Sequence, residues 1–561
     1  MTSNTTEIPL DHADGDGTTA YQGTKAVFDA VERHFAEADE RAFGPAPSRS
    51  FIESEFFTLD PLESVEVLDA YWINEPFVYA TVIFDERREK PTYRYFEPEM
   101  TDFERHVQRE LERTIRHVMR REGPMSDDAA FEQRLEELVA DHAATVDSNS
   151  LYKIFYYIKR NFIGYGQLDP LMQDPSLEDI SCDGPHIPVF IYHPEYEDLE
   201  TNLIFDSSDL DLLVHQLSQQ INTHVSAAQP QASGILSDGS RAQLTIDSDI
   251  SVRGSNFTIR RVKETPFTPV DLIQFGTFSL EEMAYLWFAV EHNMSIMFVG
   301  PTASGKTTSM NALSLFLKPD KKVVSIEEVR ELSVPHNNWV SYVTREVRKR
   351  EQREGISMYD LLESALHQRP EYILVGEIRA NPTVVRTFFQ SIFTGHPGAT
   401  TFHANSAQNA MNRLTSEPLD ITEQMASALD IIAVQHQVRR ESGDRIRRNL
   451  SLTLVGSEEE DYTLSQVFGW NPQTDTIETT VDSLSETQVF KHISDQRGWE
   501  LDQVQSEFER RRELLSYLVE SDITDYERVV AAFLLFYRNK ERVFEQIQAN
   551  TFDPPALPDL L

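Results

Sequence analysis

The stretch "SIMFVGPTASGKTTSMNA", Ser295 to Ala312, decides how this chain is read. Gly300-Pro301-Thr302-Ala303-Ser304-Gly305-Lys306-Thr307 fits G-x-x-x-x-G-K-[ST] at every fixed position, and Thr308 follows it. An apolar, β-branched run precedes the pattern. A helix-compatible run, "TTSMNALSLFL", follows it. This is the strand–loop–helix setting in which glycines let backbone N–H groups turn inward around phosphate oxygens. The helix N-terminus adds positive partial charge. Lys306 is expected to reach the β- and γ-phosphates of a nucleotide, and Thr307 to ligate Mg²⁺.

Such a site also needs carboxylates, and two strand ends supply them. "VVSIEEVRE" places Glu327, Glu328 and Glu331 just past a buried strand, and "YILVGEIR" places Glu377 just past another. In a parallel sheet such ends line the crevice where ligands bind. A single acid there is otherwise a solvated loop carboxylate, a reading that fits Glu328 better than Glu377. "FTGHPGATTFHAN" adds His396 and His403 on the next strand and its approach. Either could polarise a γ-phosphate, although a lone histidine is more often a structural hydrogen bonder.

Outward from these motifs, strands and helices alternate from 277 to about 455, which predicts an α/β domain with a parallel sheet covered on both faces. Residues 1–48 read as an acidic, mostly flexible leader with one helix at "TKAVFDAVERHF". Residues 49–165 read as an α+β and helical region: two strands in "FVYATVIFDERREKPTYRYFEPEM", then a helix capped by Thr101 and Glu104 with Phe103, Val107, Leu111, Ile115 and Val118 on one face. Next come "FEQRLEELVADHAATV" and a helix from Leu151. Residues 166–262 read as a smaller α/β domain, 263–276 as a proline-bearing linker, 277–455 as the phosphate-binding domain and 456–561 as a mainly helical region.

The 561 residues allow several domains, and no apolar run reaches the ~18 residues of a membrane helix. The N-terminus lacks the basic start and apolar core of a secretory signal, so a cytoplasmic protein is expected. The single cysteine, Cys182, allows no internal disulfide and reads as a buried small hydrophobe. The net charge of −41 is spread along the chain. Self-repulsion of that size is screened at molar salt, which points to adaptation to high internal salt, as in a halophile. It also argues against nucleic acid as a direct partner, since that binding needs a basic face.

Four elements now stand in order: the glycine loop, "IEEVRE", "LVGEIR" and "TGHPGATTFHAN". Together they resemble the secretion-ATPase superfamily of type II and type IV filament motors, over roughly 150–455. "SIEEVRELSVPHNNW", "SRAQLTIDSDISVRGSNFTIRR" and the N-terminal "YWINEPFVYATVIF…YRYFEPEM" look most like its archaeal branch, the archaellum motor above all. The resemblance implies a RecA-like, hexamer-forming ATPase that uses ATP and Mg²⁺. Gly300 to Thr308 would cradle the nucleotide, and Thr307 and Glu377 would serve the metal. Glu331 would orient the attacking water, and His403 would sense the γ-phosphate. Arg241, Arg253 and Arg260 match basic positions that reach a neighbour's nucleotide in such rings. Glu328 departs from the usual Asp of its box, and Gly376 precedes Glu377 where generic P-loop proteins have Asp. One cysteine cannot build the four-cysteine zinc module of bacterial relatives.

The resemblance further implies a place on the cytoplasmic face of the membrane, a polytopic membrane platform protein and accessory cytoplasmic filament regulators as partners. Powering assembly or rotation of an archaeal surface filament is the expected function. An adhesive-pilus assembly ATPase, a DNA or nucleoprotein transfer ATPase and a nucleotide-gated scaffold are the alternatives. The basic run "REVRKREQREG" (345–355) is a candidate partner or subunit contact, or a solvated helix face.

Overall fold

Alternation of inward and outward side chains shapes the N-terminal half of the chain. In "PVFIYH", Pro188–His193, every second residue is buried, as the period of a half-buried strand requires. The computed structural model describes residues 66–74, 77–85, 88–122, 146, 148–246, 250–262, 265–345, 355–378, 381–440, 445–458 and 461–557. The chain divides into two compact units, Met1–Lys263 and Glu264–Leu561. The leader, "TKAVFDAVERHF", most of "FEQRLEELVADHAATV" and residues 346–354 of the basic run lie outside the described residues.

Among the described residues the first unit holds nine strands: β1 (Glu66–Asn74), β2 (Val78–Asp85), β3 (Lys90–Phe96), β4 (Asp179–Cys182), β5 (Pro188–His193), β6 (Glu197–Ile204), β7 (Gln231–Ile235), β8 (Arg241–Thr245) and β9 (Asn256–Arg260). They form one sheet in the order β1-β2-β3-β6-β5-β4-β9-β8-β7. The regions 49–165 and 166–262, read separately from sequence, therefore share a sheet through the parallel pairing of β3 with β6 at Thr92 and Glu200. Helix Ser207–Gln220 buries Leu210, Leu213 and Leu217, as its spacing predicts. Helix Asp102–Glu122 starts with the expected capping box. Glu104 Oε2 accepts from the Thr101 N–H at 2.6 Å, and Thr101 Oγ1 accepts from the Glu104 N–H at 3.2 Å. Leu111 and Ile115 face inward, but Phe103, at its first turn, is exposed. Cys182 is buried.

The second unit carries β10 (Ile296–Val299), β11 (Val323–Glu327), β12 (Trp339–Val343), β13 (Tyr372–Val375), β14 (Gly398–Phe402), β15 (Ile431–Arg439), β16 (Arg445–Glu458), β17 (Asp461–Asn471) and β18 (Thr476–Thr479). The order is β12-β11-β13-β14-β10-β15-β16-β17-β18. The first six are mutually parallel. β15 to β18 run antiparallel, so the parallel sheet predicted from sequence is extended into a mixed one. β17 and β18 also occupy ground read as helical. Their residues alternate or mix polar with apolar side chains and lack a continuous apolar run, which hides such strands from a periodicity search.

Both faces of the parallel part are covered, as its fully buried central strands require. Ile296, Phe298, Tyr372, Leu374, Ile431 and Ala433 enter one core, with helix Leu280–Glu291 and the C-terminal helices. Met297, Val299, Ile373, Val375, Ile432 and Val434 enter the other, with helices Met358–Leu366, Pro382–Phe393 and Ala407–Thr415. Trp287 anchors the first core. It stacks on Phe316 with centroids 4.9 Å apart, and its Nε1–H donates to Tyr537 Oη at 2.8 Å. Burial of such a ring is worth roughly 1.5–3 kcal/mol. Beside it the buried Arg511 bonds Glu291 at 2.7 Å, which neutralises an otherwise costly interior charge. The segment 263–276 read as a linker begins at the unit boundary, and its second half forms helix Pro269–Gln274, with Val270 and Leu272 in this core.

Candidate functional site

The site grows from the end of β10. Gly300 follows Val299 where the chain has no room for a side chain: a Cβ there would collide with the Gln435 carbonyl oxygen and with Ser304 Oγ. Gly305 takes φ 93° and begins helix Lys306–Ser314. That left-handed turn favours glycine and leads the loop into the helix. Ser304 Oγ donates to the Pro301 carbonyl at 2.9 Å, and Lys306 Nζ donates to the same oxygen at 2.7 Å. Thr302 and Ala303, at the crest, are exposed, while Thr307 and Thr308 are half-buried in the first turn.

Burial pushes the Lys306 ammonium below the usual lysine range, and the charges of Glu377 and Glu331 work against that shift. One cation thus shares its field with the acids from two other strand ends. Glu377 follows β13, and its Oε1 lies 2.6 Å from His403 Nε2, just past β14. Thr401 Oγ1 donates to the Gly376 carbonyl at 2.8 Å and ties the same two strand ends together. Glu331 is exposed on the turn after β11, and Glu328 is exposed beside it. The turn is held from both sides. Glu327 Oε1 accepts the Glu331 and Leu332 N–H groups at 2.9 and 3.0 Å, and Asn311 Oδ1 accepts the Ser333 N–H at 3.0 Å. Burial pushes the Glu327 carboxyl up to about 7, against the lowering effect of those two bonds.

His396 is a correction. It precedes β14, whereas Val299 pairs with Phe402 at the strand's other end. The glycine loop and His396 therefore stand at opposite ends of two adjacent strands, about five residues of strand, roughly 16 Å, apart. Arg241, Arg253 and Arg260 are all exposed and belong to the first unit. Arg241 and Arg260 are directly opposite each other across β8 and β9, so both project from one face. Arg260 Nε lies 3.8 Å from Asp179 on β4.

Sequence reasoning missed two residues of the loop's support. Gln435 is buried on β15, and its Nε2 donates to Ser309 Oγ at 2.6 Å behind the loop. Arg447 on β16 donates from Nε to the Ala303 carbonyl at 3.2 Å. Both come from strands that carry no phosphate motif, and only the pairing of β15 with β10 brings them there. A cavity of ≈ 570 Å³ opens beside the loop, lined by Gly300, Pro301, His403, Asn405, Asn409 and Arg413 among others. The Gly300 cradle, the left-handed Gly305 and the buried Lys306 among carboxylates fit a nucleotide phosphate with a divalent cation.

A glycine loop at the end of a central parallel strand, with acids past the ends of β13 and β11 in the same sheet, defines a P-loop α/β core. The chain belongs to the type II/IV secretion system protein family. The profile of that family matches residues 215–491, and a PilB3-like N-terminal profile matches residues 37–99. An uncharacterized protein of Methanocaldococcus jannaschii is 35% identical over 403 residues, 71% of this chain and 72% of that one. The type IV secretion system protein VirB11 of Bartonella henselae is 28% identical over 226 residues, 34% of this chain and 62% of that one. The Legionella pneumophila ATPase DotB, known from an X-ray structure, matches with a TM-score of 0.35 and 16% identity over 68% of this chain and 95% of that one. No helix among the described residues is long and apolar enough to cross a membrane.

Proposed function

We propose that the chain is an ATP-hydrolysing motor that powers assembly or rotation of an archaeal type IV pilus-like surface filament, the archaellum. The observation that carries the catalytic part is the grouping of Lys306, Glu331, Glu377 and His403 around one glycine loop. Gly300 to Thr308 would hold the phosphates, with Lys306 on the terminal ones. Thr307 and Glu377 would hold Mg²⁺, whose charge would offset that of the phosphates. Glu331, exposed on its tethered turn, orients the attacking water. His403, which lines the cavity with Gly300 and Pro301, would fix the Glu377 carboxylate through the 2.6 Å contact and sense the γ-phosphate. Arg241, Arg253 and Arg260 act on the nucleotide of a neighbouring copy in a homo-hexamer. Arginines inserted in this way are worth on the order of 10³-fold or more in rate.

The motor would work at the cytoplasmic face of the membrane, on a polytopic platform protein and with accessory cytoplasmic filament regulators. The archaellum assignment rests on the sequence resemblance. The N-terminal block that contributes to it also carries the PilB3-like match, and this supports assembly of an adhesive pilus as the second reading. Deletion of the gene tests the choice: loss of swimming with adhesion intact supports the archaellum, and loss of adhesion with swimming intact supports the pilus. Transfer of DNA is the weaker alternative, because a net charge of −41 opposes a nucleic-acid track.

A further inference from the structure

Glu327 has no role among the residues assigned above to phosphate, metal or water. It closes β11 and is 2% exposed. Its Oε1 takes both the Glu331 and the Leu332 N–H groups. Its Oε2 is buried with no hydrogen-bond partner. Its Cγ lies 3.2 Å from the place a Cβ would take on Gly376, the residue before Glu377. The Gly376 N–H in turn donates to the carbonyl of Ile326, the neighbour of Glu327, at 2.9 Å. A carboxyl buried with one oxygen unpaired is unfavourable, and folds keep such groups where local geometry depends on them.

We propose that Glu327 is a positioning residue: one of its oxygens fixes the turn that carries Glu331, and its stem fills the space that Gly376 leaves beside Glu377. Both acids of the site are thereby set from one side chain. A Cβ at 376 would stand 3.2 Å from the Glu327 stem, so a larger residue there requires that stem to shift by a few tenths of an ångström. What the turn needs from position 327 is an acceptor oxygen at the right reach; a negative charge is not required. This inference rests on the reading that Glu331 orients the attacking water.

The test compares the full chain with Glu327→Gln, Glu327→Asp, Glu327→Ala and Glu331→Gln. Turnover, affinity for a fluorescent ATP analogue and hydrogen exchange of the Glu331 and Leu332 amides are read together. Glutamine keeps the acceptor in place, so Glu327→Gln should turn over within about threefold of wild type with both amides protected. Aspartate keeps the charge but withdraws the oxygen by one methylene, and alanine removes it. Both should lose turnover on the order of 10–100-fold with nucleotide affinity within about twofold. Their two amides should exchange roughly tenfold faster. Wild-type turnover in Glu327→Asp and Glu327→Ala overturns the proposal, as do unchanged amides. A Glu327→Gln as inactive as Glu331→Gln with its amides still protected also overturns it, because the charge would then be what matters. If alanine prevents folding, the glutamine–aspartate contrast decides. If wild type itself does not hydrolyse ATP, the functional reading fails and the amide exchange alone decides the positioning claim.

Discussion

His403 Nε2 stands 2.6 Å from Glu377 Oε1, so the ends of β14 and β13 meet through their side chains. The contact restricts a carboxylate that would otherwise sample several rotamers. Replacement of His403 by alanine should lower turnover by about tenfold or more, with nucleotide binding little changed, because orientation is lost and the phosphate cradle is kept. Glutamine, which returns a polar group of similar reach, should recover part of the loss. Steady-state kinetics alongside a binding titration checks this. Equal turnover in the alanine variant and wild type removes His403 from the site.

The approach of Gly300 to the Gln435 backbone leads to a second expectation. Gly300→Ala should abolish nucleotide binding while the C-terminal unit stays folded, since the added methyl displaces the loop from the end of β10. Gln435→Ala should leave the loop in place. It removes one buried side-chain hydrogen bond to Ser309 and should lower stability by about 1–3 kcal/mol. Denaturant melts and nucleotide titration of the two variants separate these outcomes.

Arg241 and Arg260 face each other across two strands, a like-charge pairing that Asp179 on β4 offsets in part. Arg260→Ala and Arg253→Ala should lower turnover in the assembled ring and leave a monomeric preparation unaffected. Turnover measured against oligomer size distinguishes this from a folding role. An equal loss in a proven monomer would contradict the assignment.

Glu282 gives a pH-dependent stability prediction. It lies fully buried against Asn449, and burial pushes its carboxyl from 4.5 up to about 8. The folded chain therefore holds this proton more tightly than the unfolded chain. Its favourable contribution is complete below pH ~4.5 and fades as pH rises through about 8. Glu282→Gln has no such dependence. The variant should melt higher than wild type at pH 8.5, and the gap should shrink on descent toward pH 5. A gap of the same size at both pH values would mean that Glu282 titrates normally.

Much of the C-terminal core was legible because each strand beneath the site is a short apolar run ending in a polar motif. "IMFV", "YILV" and "GATTF" told where the sheet was, and the residues after them told which edge carried chemistry. His396 misled because the same segment places a histidine before its strand as well as after it, and spacing alone does not say which end faces the loop. β12, with every residue half-buried, and β17 and β18 gave no continuous apolar signal. Gln435 and Arg447 were invisible for a different reason. They reach the loop by strand pairing across more than a hundred residues, which no local pattern records.

A motor of this kind requires ATP hydrolysis at the site around Lys306. The direct measurement is ATP turnover at molar KCl with Mg²⁺, with oligomer size read in the same buffer, for wild type and Lys306→Ala. Turnover that accompanies a six-fold assembly and vanishes in Lys306→Ala is the predicted result. Turnover that persists in Lys306→Ala, or a folded six-fold assembly that binds ATP without hydrolysing it, would contradict the account.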